Sequence, residues 1–271
     1  MKKQKTLASM MTVIIILCCA VLITLLIRDL DRNKTHSAQT NHSQIQQTKP
    51  SSPVIKKDKV IKKKHKAKPS VKEKKLTAPY VSQKPELPNG CEVTSLTMLL
   101  QSAGIKVDKL TLAGQIKKVP FQSGGFMGNP NEGFVGNMYH GSRNNPGYAV
   151  YHGPVADLAS RYLGHRVKDL TGDAWEDIEK QIASGVPVWT ITSINFQPVP
   201  KGSWREWHTK QGTIQITFQE HSVLVTGYDE DYVYFNDPLA GGPGSKASKA
   251  AFVKAWKQFG RQAISYTPES H

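Results

Sequence analysis

The sequence predicts a domain of mixed helices and antiparallel strands over residues 78–267, on three observations. After Cys91, the residues Val93, Leu96, Leu100 and Ala103 recur at helical spacing, and Gly104 ends the run. Two short strands, 221–227 and 232–237, flank a turn at Asp229, Glu230 and Asp231. The stretch holds about 190 residues, enough for one domain with its own core.

The N-terminal part reads differently. Lys2, Lys3 and Lys5 precede an apolar run at 7–27, closed by Arg28 and Asp29. A helix of that length spans about 31 Å, enough for a hydrocarbon core of about 30 Å. No A-x-A cleavage site follows closely, and Leu17 and Ile16 before Cys18 do not fit a lipoprotein signal. The expectation is one uncleaved transmembrane anchor at 7–27. Residues 1–6 would be cytoplasmic and the C-terminal domain outside the cell membrane.

Residues 28–77 show no apolar periodicity and are rich in Lys, Ser, Thr, Gln, Asn and Pro, the composition of a disordered tether. Residues 1–79 carry 18 Lys+Arg against 4 Asp+Glu, a balance of +14. Residues 80–271 carry 18 against 17, a balance of +1. The net charge of +15 therefore belongs to the tail, and the near-neutral domain argues against nucleic acid as a partner. The lysines would meet anionic lipid or anionic wall polymer, or act only as a self-repelling spacer.

Within the domain, Asn89 and Glu92 are placed to cap the Cys91 helix in a capping box. A short helix is expected at 109–118. The Gly- and Asn-rich stretch 121–148 reads as an irregular, surface-lying binding wall, without the Gly-Lys-Ser/Thr of a phosphate loop. Helices are expected at 154–163 and 173–184, the second burying Trp175, Ile178 and Ile182. A strand at 186–192 follows, then a polar loop with Trp204, Trp207 and His208. Strands at 213–218, 221–227 and 232–237 come next, then a helix at 249–259 with Phe252, Trp256 and Phe259 on one face, and a last strand at 262–266.

Cys91 is the domain's one cysteine, so no internal disulfide can brace it. In a first helical turn, unpaired N–H groups and the helix dipole would lower the thiol pKa and favour the nucleophilic thiolate. A free cysteine more often packs as a small hydrophobe, so position alone leaves both roles open. A thiolate nucleophile needs a base and a group to orient that base. If Asp229, Glu230 and Asp231 form the hairpin loop, Tyr228 faces Tyr232. His221, Val223 and Val225 then share a face with Val233, Phe235 and Asp237, and His221 and Asp237 become diagonal neighbours. A two-residue loop would put them on opposite faces. Gln83, eight residues before Cys91, could offer its amide to an oxyanion together with the Cys91 N–H. A core histidine and a surface amide are the bland alternatives for His221 and Gln83. No CxxC, HExxH or His/Asp cluster at ligand spacing occurs, so no metal or cofactor is expected.

The segments YVSQKPELPNGCEVTSLTMLLQSAGI, NPNEGFVGNMYH with GYAVYHGPVADLA, and EHSVLVTGYDEDYVYFNDPLAG together resemble papain-like cysteine peptidases of the bacteriocin-processing (double-glycine leader peptidase) type. They are most similar to its stand-alone, exported bacterial branch. The resemblance implies an α+β fold with the nucleophile helix packed on an antiparallel sheet. It also implies Cys91 as nucleophile, His221 as base, Asp237 as orienting partner and Gln83 as oxyanion donor. The leader-cleaving relatives are fused to a transporter and act in the cytoplasm, so their substrate does not carry over.

Three functions compete on this reading. One is a membrane-anchored cysteine peptidase acting on exported peptides or proteins. The second is a peptidoglycan endopeptidase or amidase using the same triad on cell-wall peptide. The third is a non-catalytic binding domain that has kept the fold.

Overall fold

The computed structural model describes residues 72–269. The expected anchor and residues 28–71 of the expected tether lie outside the described residues. No described helix is long and apolar enough to cross a membrane.

In chain order the elements are β1 (Lys74–Lys75), α1 (Cys91–Ser102), α2 (Lys109–Gln115), four two-residue strands β2 (Lys118–Val119), β3 (Gln122–Ser123), β4 (Phe126–Met127) and β5 (Phe134–Val135), then α3 (His152–Leu163), β6 (Val167–Asp169), α4 (Trp175–Ala183), β7 (Val188–Ser193), β8 (Arg205–Thr209), β9 (Gly212–Ile216), β10 (Glu220–Tyr228), β11 (Tyr232–Asn236), β12 (Ser245–Ser248), α5 (Lys249–Gln258) and β13 (Ala263–Tyr266). The main sheet runs β12-β11-β10-β7-β13-β6, with every ladder antiparallel. β1 joins the turn end of β10, Lys74 facing Tyr228 and Lys75 facing Gly227. Regular structure thus begins upstream of residue 78, inside the stretch expected to be tether.

Strand alternation gives the sheet two apolar faces. Trp189, Ile191, Leu224 and Ile264 pack towards α1 and α3. Val188, Val223, Val225, Val233, Phe235 and Ala263 pack towards Trp175, Ile178 and Ile182 of α4 and towards Phe252 and Trp256 of α5. The apolar faces expected for these two helices are therefore the buried ones.

Helix α1 starts and ends near where the sequence placed it, but its start differs in detail. The cap is Gly90, with no side-chain hydrogen bond, and not Asn89. A Cβ at Gly90 would lie 2.7 Å from the Leu87 Cβ, so the tight approach excludes a larger cap. The Asn89 amide turns to the Asn137 carbonyl, and Glu92 Oε1 accepts from the Val150 N–H at 2.7 Å instead of closing a capping box. Residues 91–100 are buried on every side, including Thr94, Ser95 and Thr97. Thr94 and Thr97 donate to the carbonyls of Gly90 and Val93, four residues back, and Ser95 donates to the Ser222 carbonyl at 3.0 Å. Local back-bonding makes these polar residues compatible with a buried helix.

Two loop expectations are corrected. Residues 205–216 form the hairpin β8–β9, with Trp207 facing Ile214. Charged neighbours Arg205, Glu206, His208 and Lys210 hide the alternation that buries Trp207 and Thr209. Trp207 packs edge-on against Phe121 at 5.3 Å and tilted against Tyr148 at 5.1 Å, in a satellite core. The Gly-rich stretch is not wholly at the surface either, since Phe134, Val135 and Met138 are buried.

Candidate active site

The β10–β11 hairpin decides where the imidazole lies. Its turn is tighter than expected, because the Asp229 N–H bonds the Tyr232 carbonyl. Tyr228 accordingly faces Val233, and Gly227 faces Tyr234, one position out of the expected register. A bulge between Val225 and Gly227 then absorbs one residue, and Val225 faces Phe235 and Leu224 faces Asn236, as the longer loop would have required. The bulge restores the diagonal placement of His221 and Asp237. His221 Nε2 and Asp237 Oδ1 are 2.7 Å apart. The ring is 2 % exposed and rests near Phe196. No described residue hydrogen-bonds its Nδ1. Burial pushes the Asp237 carboxyl up, but the hydrogen bond and charge of His221 and the Leu239 N–H outweigh it and hold it below the usual range.

The Gln83 segment is tied to the same corner. The Gln83 N–H donates to the Pro238 carbonyl at 2.9 Å, and the Asn236 amide donates to the carbonyls of Ala78 and Pro79. Gln83 Nε2 donates to the carbonyls of Leu87 (3.1 Å) and Pro88 (2.8 Å), and its Oε1 is buried without a partner.

Cys91, His221 and Gln83 line one cleft of about 130 Å³, together with Gly147, Tyr148 and Leu239. Ile194 and Phe218, each about half exposed, form its apolar rim. The sulfur is nearly covered, at 7 % exposure. Its hydrogen bond runs to Glu92 Oε2 at 3.4 Å, and not to His221.

The expected lowering of the thiol pKa is overturned. Burial, then the charges of Glu92 and Glu220, push the Cys91 thiol well above its ordinary value, against a smaller lowering by the Ser222 backbone amide. Burial raises the Glu92 carboxyl to about 7. Burial and the neighbouring Glu92 raise Glu220 well above the carboxylate range. Helix-start amides are a short-range effect, and here two buried carboxyls and desolvation exceed it. Sequence reasoning missed both glutamates as site residues. The available signal was a charged residue next to each reactive one, in Cys91-Glu92 and Glu220-His221, at positions the helix and strand patterns bury.

A thiol, an imidazole held by a carboxylate and a buried amide facing one cleft are a set suited to thiol acyl transfer. Comparison with known proteins gives the family. The model of the Peptidase C39 like family matches residues 75–264. An uncharacterized protein of Bacillus subtilis (strain 168), YvpB, is 51% identical over 181 residues, covering 66% of this chain and 70% of its own. A crystal structure from Bacillus anthracis, described as a "putative C39-like peptidase", superposes with a TM-score of 0.71 at 46% identity, covering 73% of this chain and 99% of its own. The chain therefore belongs to the Peptidase C39 like family.

Proposed function

We propose that this protein is a membrane-anchored cysteine peptidase that hydrolyses peptide bonds of exported peptides or proteins. The observation that carries the reading is the cleft shared by Cys91 and His221, with His221 Nε2 held by Asp237 at 2.7 Å. With Nε2 occupied, Nδ1 is the nitrogen available to take the thiol proton. Asp237 fixes the ring and stabilises the imidazolium formed on proton transfer. The sulfur leaves Glu92 Oε2, passes its proton to Nδ1 and attacks the scissile carbonyl. The imidazolium then protonates the departing amine, and water, deprotonated by His221, releases the acyl group.

The tetrahedral oxyanion would be met by the Cys91 N–H, which as a first-turn amide has no partner four residues back, and by Gln83 Nε2. Gln83 would give up its longer bond, to Leu87, for that purpose. Ile194 and Phe218 favour apolar residues beside the cut. The apolar run at 7–27 would hold the chain in the membrane and the lysine-rich stretch would let the domain reach out along lipid or wall polymer.

The test compares cells carrying Cys91→Ala or His221→Ala with their parent by N-terminal peptide mapping of exported and wall-associated proteins. Both variants should accumulate the same uncut substrate. Identical cut-site maps in all three strains would sink the proposal, and altered wall cross-linking without protein cuts would redirect it to peptidoglycan.

A further inference from the structure

Beside the sulfur lies a group of acids that the hydrolytic reading does not use. One atom each of Cys91, Glu92 and Glu220 lie within 4.8 Å of one another, and all three residues are buried. Glu92 is anchored, since its Oε1 takes the Val150 N–H while its Oε2 faces the sulfur at 3.4 Å. Glu220 is different. It is 8 % exposed and lines the cleft, and its Oε1 is buried with no hydrogen-bond partner. No lysine or arginine is paired with either carboxyl among the described ion pairs. A buried, unpartnered carboxyl is costly, and a second carboxyl beside it adds repulsion. Both acids are accordingly held in the protonated direction, by burial first.

A cation at the centre of this group would give the Glu220 carboxyl a partner and offset the repulsion between the two acids. We infer that Cys91, Glu92 and Glu220 form a binding site for a thiophilic divalent cation of the zinc class, which masks the cysteine when bound. The donor set favours that class. Thiolate with carboxylate suits zinc, whereas magnesium and calcium take oxygen donors. Tetrahedral zinc with ordinary Zn–S and Zn–O lengths sets sulfur and oxygen about 3.6 Å apart, and Cys91 Sγ and Glu92 Oε2 already stand at 3.4 Å. Water fills the fourth position. On binding, the thiol proton and any carboxyl proton leave to solvent, and the sulfur lone pair becomes the metal bond. His221 keeps its bond to Asp237 and stays outside the set. The ligands escape motif reading because Glu92 and Glu220 are 128 positions apart in the chain.

The inference rests on the proposed nucleophile only for its masking effect, so the test reads metal binding and not hydrolysis. The full chain, with Cys18→Ser and Cys19→Ser so that Cys91 is the one thiol, is titrated with Co2+ as a coloured stand-in for Zn2+. One ion per chain should bind, with a thiolate-to-cobalt charge-transfer band that Zn2+ abolishes. Cys91→Ala should remove the band, and Glu220→Gln or Glu92→Gln should weaken binding about tenfold or more. Zn2+ should protect Cys91 from alkylation, and His221→Ala should leave the cobalt band in place. Absence of the band in the parent overturns the inference whatever the variants do. So does a band that survives Cys91→Ala, is unmoved by Glu220→Gln, or vanishes in His221→Ala. A protein with the band and no peptidase activity would sink the proposed function and leave the metal site standing.

Discussion

Two opposing influences act on the Cys91 sulfur. The start of α1 and the Ser222 amide favour a thiolate, while burial, Glu92 and Glu220 favour the thiol. The second group wins, so the cysteine rests protonated and hydrogen-bonded to Glu92. Only transfer to the imidazole, or removal of a neighbouring acid, releases the nucleophile. Glu220→Gln removes one of the two acids beside the sulfur while keeping the shape of the side chain. It should lower the thiol pKa, so that the alkylation rate climbs from a lower pH than in the parent. Stopped-flow alkylation with chelator present measures this. An unchanged pH profile would mean that Glu220 carries no charge where the thiol titrates. The position of Cys91 in the first helical turn was legible in the sequence, because the apolar spacing and Gly104 define the helix. Its electrostatics were not, because Glu220 approaches from a strand far along the chain.

At the level of elements, β10 and β11 show why a correct pairing can rest on an incorrect turn. Alternation of Val223, Val225, Val233 and Phe235 agreed with the register of a three-residue loop, and near the site that register holds. The turn closes one residue tighter, and the bulge before Gly227 takes up the difference. A bulge leaves no mark in a hydrophobic pattern that tolerates one irregular residue, so only the conflict between two plausible loops hinted at it. The hairpin β8–β9 was missed for a related reason, since its buried Trp207 and Thr209 are interleaved with charged residues that read as loop. Gly227 carries a testable consequence. A Cβ there would sit 2.6 Å from the Lys74 carbonyl oxygen, too close for β1 to stay paired. Gly227→Ala should destabilise the domain by about 1–3 kcal/mol in denaturant titration, with kcat unchanged, because the strand end is remote from the cleft. A stability equal to the parent would mean that β1 contributes nothing to the fold.

For the molecule as a whole, the same acids set how stability responds to pH. Glu92 has an ordinary carboxyl pKa of 4.5 when unfolded and about 7 when folded, raised chiefly by burial. Glu220 is raised in the same direction by burial and by Glu92. The groups facing Glu92 include Cys91 on α1, Glu220 on β10, and the Val150 N–H and the buried Tyr151 phenol before α3. Between the two pKa values the folded state holds protons that the unfolded state has released, so stability falls as pH rises. The contribution is complete below the unfolded value and gone above the folded one, and for Glu92 alone it amounts to at most about 3 kcal/mol. Asp237 acts oppositely. Its folded pKa is depressed, so its contribution is present above the ordinary carboxylate range and is lost as pH falls through the folded value. Stability of the full chain with chelator present should therefore peak in mild acid and decline towards neutrality. Denaturant midpoints measured across that window check the slope, and Glu92→Gln should flatten it by removing the titrating group while keeping an acceptor for the Val150 N–H. A parent whose midpoint climbs steadily from mild acid to neutrality, with Glu92→Gln climbing alongside it, would show that Glu92 is ionised in the folded protein and that the thiol beside it is shaped by something other than a buried pair of acids.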